Sequence, residues 1–267
     1  VVVLGSGDIG LIMARRMTLE GAKVKMVCEL MPFSSGLNRN IVQCLDDFDI
    51  PLRLSCTVVE TYGRERLEGV TVQYVDEKLR PIEGTQEYVE CDTLLLSVGL
   101  IPENELSKGL GLKLDRVTGG PVVNEMRETE HKGIFACGNV LQVHDLVDYV
   151  TEESMIAGKG AADYILGKNE EDAEYIGSVT GNGVRYIVPQ KINIKGKDSL
   201  KLYFRVGAVY KGARVVVTCD GKELYNRKKP KLAPGEMENV VLTPTMLADM
   251  NRNSKLVVEI QMNEESK

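Results

Sequence analysis

The first ten residues, Val1-Val2-Val3-Leu4-Gly5-Ser6-Gly7-Asp8-Ile9-Gly10, constrain the fold more than any other stretch. An apolar run that ends in G-x-G-x-x-G and opens a helical pattern reads as a buried parallel strand, a tight turn and a helix. Each glycine has its own task. Gly5 makes the turn, Gly7 lets the backbone approach a pyrophosphate, and Gly10 lets the helix pack close to the strand. The helix is expected over Asp8 to Glu20, with Ile9, Ile12, Met13 and Met17 on one face. Its N-terminal amides and dipole suit a phosphate. A second strand over Lys23 to Cys28 ends at Glu29, about 20 residues after the glycines, where an acid meets a ribose 2′-hydroxyl. Gly5, Ser6, Gly7, Asp8, Ile9 and Gly10 are the expected pyrophosphate cradle and Glu29 the expected ribose ligand. A carboxylate there repels a 2′-phosphate, which favours NAD(H) over NADP(H). The alternative is a tight strand–helix turn that holds no ligand.

The chain has 267 residues, enough for one large domain or two to three smaller ones. Its net charge of −6 argues against nucleic acid as a partner. No apolar run approaches the ~20 residues that cross a bilayer, and no charged-then-apolar leader opens the chain. The start at a core valine reads as a fragment of something longer. Six cysteines (Cys28, Cys44, Cys56, Cys91, Cys137 and Cys219) show neither C-x-x-C nor C-x-x-x-x-C spacing. They favour a reducing cytoplasmic setting and argue against a metal site or a redox dithiol within this chain.

Leu37 to Phe48 reads as a second helix with Ile41, Leu45 and Phe48 inward, and Ile50 to Leu54 as a third strand. The rhythm β-α-β-α-β is doubly wound. The period then changes to two: Thr57 to Tyr62, Val70 to Asp76 and Glu87 to Cys91 read as an antiparallel meander. Thr93 to Gly99 returns to a buried strand, and Ile101-Pro102 breaks it.

This order, with Leu94-Leu95-Leu96-Ser97-Val98-Gly99-Leu100-Ile101-Pro102-Glu103-Asn104, resembles the pyridine-nucleotide-dependent FAD oxidoreductases, the two-dinucleotide-binding flavoproteins. Gly133-Ile134-Phe135-Ala136-Cys137-Gly138-Asn139 resembles that family's second flavin motif, a strand ending in Ala-x-Gly-Asp. The resemblance implies that Gly138 and Asn139 face the ribityl part of FAD and that Gly99 lies near bound NAD(H). Asn139 stands where the family has an acid, and an amide both donates and accepts. A helix expected from about Thr151 to Leu166, with Ala157-Gly158-Lys159-Gly160-Ala161-Ala162, resembles the small-residue helix that aims its N-terminus at the flavin, with Thr151 as N-cap; the alternative is an Ala/Gly-rich helix chosen only for close packing. The family's other G-x-G-x-x-G, which holds the AMP half of FAD, does not occur in these residues, so this stretch alone is expected to bind FAD weakly.

The loop Val143-His144-Asp145-Leu146-Val147-Asp148 resembles flavoprotein subunits that accompany glycerol-3-phosphate or sarcosine-type dehydrogenases. His144 is the candidate catalytic group; the alternative is a structural histidine bonded to backbone. A boundary is expected within 167–183. Beyond it Val184 to Val188, Ser199 to Val206, Arg214 to Cys219, Glu223 to Asn226, Glu238 to Leu242 and Lys255 to Gln261 read as strands of a small sandwich, with Asp220-Gly221 as a hairpin turn. Residues 1–172 carry a net −12 and residues 173–267 a net +6. The basic run Arg227-Lys228-Lys229-Pro230-Lys231 reads as a solvated loop at a sheet edge or as a docking surface for an acidic partner.

The expected fold is α/β: a Rossmann-like doubly wound parallel sheet with a three-stranded antiparallel meander, followed by an antiparallel β-sandwich-like domain. The expected domains are 1–98 for NAD(P), 99–172 for the C-terminal segment of an FAD domain, and 173–267 for the β domain. The implied activity is an FAD-dependent oxidoreductase that exchanges hydride with NAD(H) and passes electrons to a second substrate, a partner dehydrogenase or an electron-transfer subunit. A homo-oligomer is a further expected assembly. The rival reading is a non-catalytic nucleotide-binding subunit that scaffolds or regulates a partner dehydrogenase.

Overall fold

The computed structural model describes residues 1–168 and 173–262. Contacts divide the chain into two units, Val1–Leu100 and Ile101–Lys267. Among the described residues no helix is long and apolar enough to cross a membrane.

In the first unit β1 (Val2–Leu4) leads into α1 (Asp8–Leu19) and β2 (Met26–Cys28). α2 (Asn38–Cys44) and a 3-10 turn over Asp46–Phe48 precede β3 (Leu52–Arg53). The meander is β4 (Cys56–Tyr62), β5 (Gly69–Tyr74) and β6 (Glu87–Glu90), antiparallel in that order. β7 (Leu94–Leu96) then returns to the parallel sheet, whose order is β3-β2-β1-β7. The chain moves from β1 to β2 on one side and reaches β7 on the other. The switch point of the sheet therefore lies at β1, the place where open α/β sheets leave a crevice for ligands. Val3, Leu11, Ala14, Val27 and Leu45 form a core on one side of the sheet, and Val2, Cys28, Cys56, Val70 and Val72 one on the other.

The face expected of α1 is corrected. Gly10, Leu11 and Ala14 are buried, whereas Ile9, Ile12 and Met13 are 71%, 44% and 36% exposed. Close approach of helix to sheet puts the small residues Gly10 and Ala14 at the contact with Leu11 beside them, and of the expected face only Met17 packs against this core.

The second unit opens with α3 (Glu105–Gly109) and irregular chain. The strand expected over 133–139 does not form: Phe135 makes a single antiparallel bridge to Glu128, and Gly138–Val140 is a 3-10 turn. α4 spans Val147–Ile165, with Leu146 as its N-cap, and begins four residues before Thr151. Beyond it lie β8 (Tyr175–Thr180), β9 (Val184–Val188), β10 (Lys191–Asn193), β11 (Leu200–Val206), β12 (Tyr210–Cys219), β13 (Lys222–Leu232), β14 (Glu238–Leu242), α5 (Pro244–Leu247) and β15 (Leu256–Met262). They build two sheets, β10-β8-β15-β12-β13 and β14-β11-β9. All pairs are antiparallel except β15 with β8. Asp220 and Gly221 both have positive φ, as a two-residue hairpin turn requires. The basic run lies within β13, an edge strand, where Lys229 pairs with Glu238 at 2.7 Å.

Alternation along β11 explains how this unit coheres. Leu200, Leu202, Phe204 and Val206 point into the core shared by the two sheets. Lys201, Tyr203 and Arg205 point the other way, toward α4 and the loop before it. Tyr186 and Val188 of β9 pack with Val123, Ala136 and Leu141. The expected boundary at 172/173 lies inside this unit, because residues 101–168 cover the outer face of a sheet that would otherwise leave Tyr203 in water.

Candidate functional site

The carboxyl ends of β1, β2 and β7 carry one group of expected residues. Gly5 has φ +97°, and a Cβ on it would lie 2.0 Å from the carbonyl oxygen of Ser97. A Cβ on Gly10 would lie 2.6 Å from the carbonyl oxygen of Gly5 and 2.7 Å from Ser97 Cβ. These two glycines are demanded by packing. Gly7 is different: its φ and ψ are −64° and 162°, open to any residue, and a Cβ there would meet nothing nearer than 3.7 Å. Among the described residues nothing packs closely enough to need the bare backbone at Gly7, which fits a group that binds against it. α1 starts at the next residue with no side-chain cap, so its first-turn amides have no helical acceptor and point to the same place.

Glu29 is 7% exposed at the end of β2. Its Oε2 accepts from Ser6 N at 2.9 Å and from Ser6 Oγ at 2.5 Å, and its Oε1 accepts from Met31 N at 2.9 Å. Both donors of Ser6 are thus directed inward at the acid, and Ser6 is fully buried. Three bonds leave the carboxylate room for another donor such as a ribose hydroxyl. Asp8 Oδ1 accepts from Leu37 N at 2.8 Å and Asn40 Nδ2 at 2.7 Å, so its side chain ties α1 to the start of α2. The Ile9 side chain is exposed. Gly99, with φ +98°, follows β7 with open space around its Cα.

The second unit carries the other group. Gly138 has φ +69°, and its N–H donates to Glu153 Oε2 at 2.9 Å. Asn139 is exposed, and its Oδ1 accepts from His144 N at 3.1 Å. A backbone donor fixes which amide atom is the oxygen, which leaves Nδ2 as the donor end of the exposed Asn139 side chain. Thr151 is not the cap of α4: it sits in the second turn, where its hydroxyl donates to Val147 O at 3.1 Å. The α4 N-terminus falls instead at Val147 to Val150.

Sequence reasoning missed the hub of this region. Glu153 and Arg127 are fully buried and joined at 3.2 Å. Gln142 Nε2 donates to the same carboxylate at 2.9 Å, and His144 Nε2 lies 3.4 Å from it. Arg127 has φ +67°, its guanidinium sits 5.7 Å from the Tyr203 ring centroid, and its Nη1 donates to Glu125 O. The His144 side chain is 1% exposed, and burial holds its pKa below the ordinary histidine value against the opposing pull of Glu153. The imidazole is therefore enclosed beside the Glu153 carboxylate rather than presented to a ligand. On the adjacent residue of α4, burial works to raise the Glu152 pKa, but the Lys201 ammonium and the Tyr203 hydroxyl outweigh it and hold the carboxyl low.

The chain is 31% identical over 174 residues to an NADH oxidase of Methanocaldococcus jannaschii, covering 63% of this chain and 35% of the relative. It is 30% identical over 171 residues to the mitochondrial dihydrolipoyl dehydrogenase of Caenorhabditis elegans, covering 61% and 33%. The solved thioredoxin reductase of T. acidophilum superposes with a TM-score of 0.52 at 26% identity, covering 63% of this chain and 52% of that one. The chain thus spans about a third of the curated relatives' length. The family described as pyridine nucleotide-disulphide oxidoreductase matches residues 1–158, more than half of the sequence, and the chain belongs to that family.

Proposed function

We propose that the protein is an FAD-dependent oxidoreductase that exchanges hydride with NAD(H) and passes electrons to a second substrate or partner protein. The observation that carries this reading is Gly7, a glycine that the fold leaves free to be anything else. It lies between two glycines that packing requires, at the switch point of a parallel sheet with Glu29 beside it. In this reading the amides of the first α1 turn bind the NAD pyrophosphate. The Glu29 carboxylate accepts from the adenosine ribose, and Ser6 and Met31 hold that carboxylate in place. Asn139 Nδ2 donates to a ribityl hydroxyl of FAD, and the α4 N-terminus favours negative charge on the flavin ring. The two cofactors supply the hydride chemistry, so no side-chain nucleophile is required. His144 contributes its backbone N–H to Asn139 rather than a titrating imidazole. Exposed Arg227, Lys228 and Lys231 on edge strand β13 give an acidic acceptor protein a surface to dock on.

The reading predicts oxidation of NADH by an artificial acceptor such as dichlorophenolindophenol, at a kcat/KM at least tenfold above that for NADPH. A flavin-loaded protein that turns over neither nucleotide would leave only the scaffold role.

A further inference from the structure

The outer face of β11 reaches the loop that carries Asn139. The Arg205 guanidinium is spread over four acceptors: Nε donates to Tyr186 Oη at 3.2 Å, Nη1 to Pro234 O at 3.0 Å, and Nη2 to Val143 O at 3.1 Å and Asp145 Oδ1 at 3.3 Å. Asp145 Oδ2 accepts in turn from Met237 N at 3.2 Å. The Arg205 and Asp145 side chains are only 14% and 7% exposed. Val143 and Asp145 are the two neighbours of His144, and the His144 N–H is the donor that orients Asn139 Oδ1. One guanidinium of the C-terminal sheet therefore fixes both residues that flank the peptide aiming Asn139.

We propose that Arg205 is a positioning residue for the flavin: the C-terminal β-sheet, through Arg205 and Asp145, sets the orientation of the Asn139 amide toward the ribityl chain. The proposal rests on the FAD reading above. Three features separate it from a plain structural brace. Two of the four bonds, both from Nη2, fall on the three-residue loop 143–145, one on its backbone at Val143 O and one on the Asp145 carboxylate, while Nε and Nη1 anchor the guanidinium to Tyr186 and Pro234. A planar fork with fixed N–H directions is used where a flexible ammonium would suffice for charge alone. The side chain farthest along this chain of contacts, Asn139, is exposed, and its Oδ1 is the atom that the loop holds. The β domain becomes part of the wall of the cofactor site, a role that its lack of any catalytic motif conceals.

The test uses the intact protein, purified with its flavin. FAD release is followed by the recovery of free-flavin fluorescence, and folding by far-ultraviolet circular dichroism. Arg205→Lys, which keeps the charge and loses the fork, is expected to release FAD at least tenfold faster than wild type. Asn139→Ala should do the same, and the double variant should be no faster than Asn139→Ala, because both act through one contact. Arg205→Lys within twofold of wild type, or two effects that multiply in the double variant, would overturn the proposal. If Arg205→Lys does not fold, Asp145→Asn gives the same readout with the same expectation. A wild-type protein without flavin overturns the FAD reading and this proposal together. A flavin-loaded wild type with insensitive variants overturns the positioning role alone.

Discussion

Glu29 accepts both the backbone N–H and the hydroxyl of Ser6, so the acid expected to hold a ribose also holds the phosphate turn in shape. Glu29→Ala removes both roles. The unpaired buried donors cost about 1–3 kcal/mol of stability, and the kcat/KM preference for NADH over NADPH should fall at least tenfold. Steady-state kinetics with both nucleotides checks this. An unchanged ratio would remove Glu29 from the ribose site.

The three glycines of the turn separate stability from binding. Gly10→Ala forces a Cβ to 2.6 Å from the Gly5 carbonyl and should destabilise the first unit by about 1–3 kcal/mol. Gly7→Ala meets nothing nearer than 3.7 Å and should leave stability within about 0.5 kcal/mol. Its methyl group would occupy the space proposed for the pyrophosphate, so NADH affinity should fall by tenfold or more. Urea titration and calorimetry on the same two variants decide the matter. Equal effects on both quantities would contradict the assignment.

Arg127 and Glu153 are each fully buried, and either one alone is an uncompensated charge. Arg127→Met or Glu153→Leu should each cost about 3–5 kcal/mol, and the double variant less than the sum of the two. Chemical denaturation monitored on the second unit measures the coupling. Strict additivity would show that the pair is not held as a pair.

Much of the fold is legible in the sequence because its signals are local. The G-x-G-x-x-G turn, the change of period at the meander and the Asp220-Gly221 hairpin each announce themselves within a few residues. The α1 face is not, because hydrophobicity favours Ile9, Ile12 and Met13 while the sheet needs the small volumes of Gly10 and Ala14. α4 starts early at Val147 because nothing between Leu146 and Thr151 breaks a helix, although Thr151 looks like a cap. The Arg127–Glu153 pair is 26 residues apart and the Arg205–Asp145 pair 60. Neither has a spacing that distinguishes it from an ordinary surface charge, so the element that shapes the second site is invisible until the chain folds.

His144 makes the second unit sensitive to acid. Burial lowers its pKa below the ordinary 6.5, against the pull of the Glu153 and Asp145 carboxylates and with the push of Arg205. The unfolded chain then binds more protons than the folded one below that value. Stability should fall as pH drops from about 6.5, by at most about 1.4 kcal/mol per pH unit. In His144→Gln the fall should flatten between pH 6.5 and 5. Denaturation curves across that range test it, and identical slopes for both proteins would mean that the imidazole charges freely in the folded state.

The most direct test of the central claim is the visible absorption spectrum of the intact protein, recorded without oxygen before and after NADH is added. Flavin bands that bleach within the dead time of manual mixing, and that bleach far more slowly with NADPH, are the predicted result. A colourless protein, or a bound flavin that NADH leaves oxidised, would contradict the account.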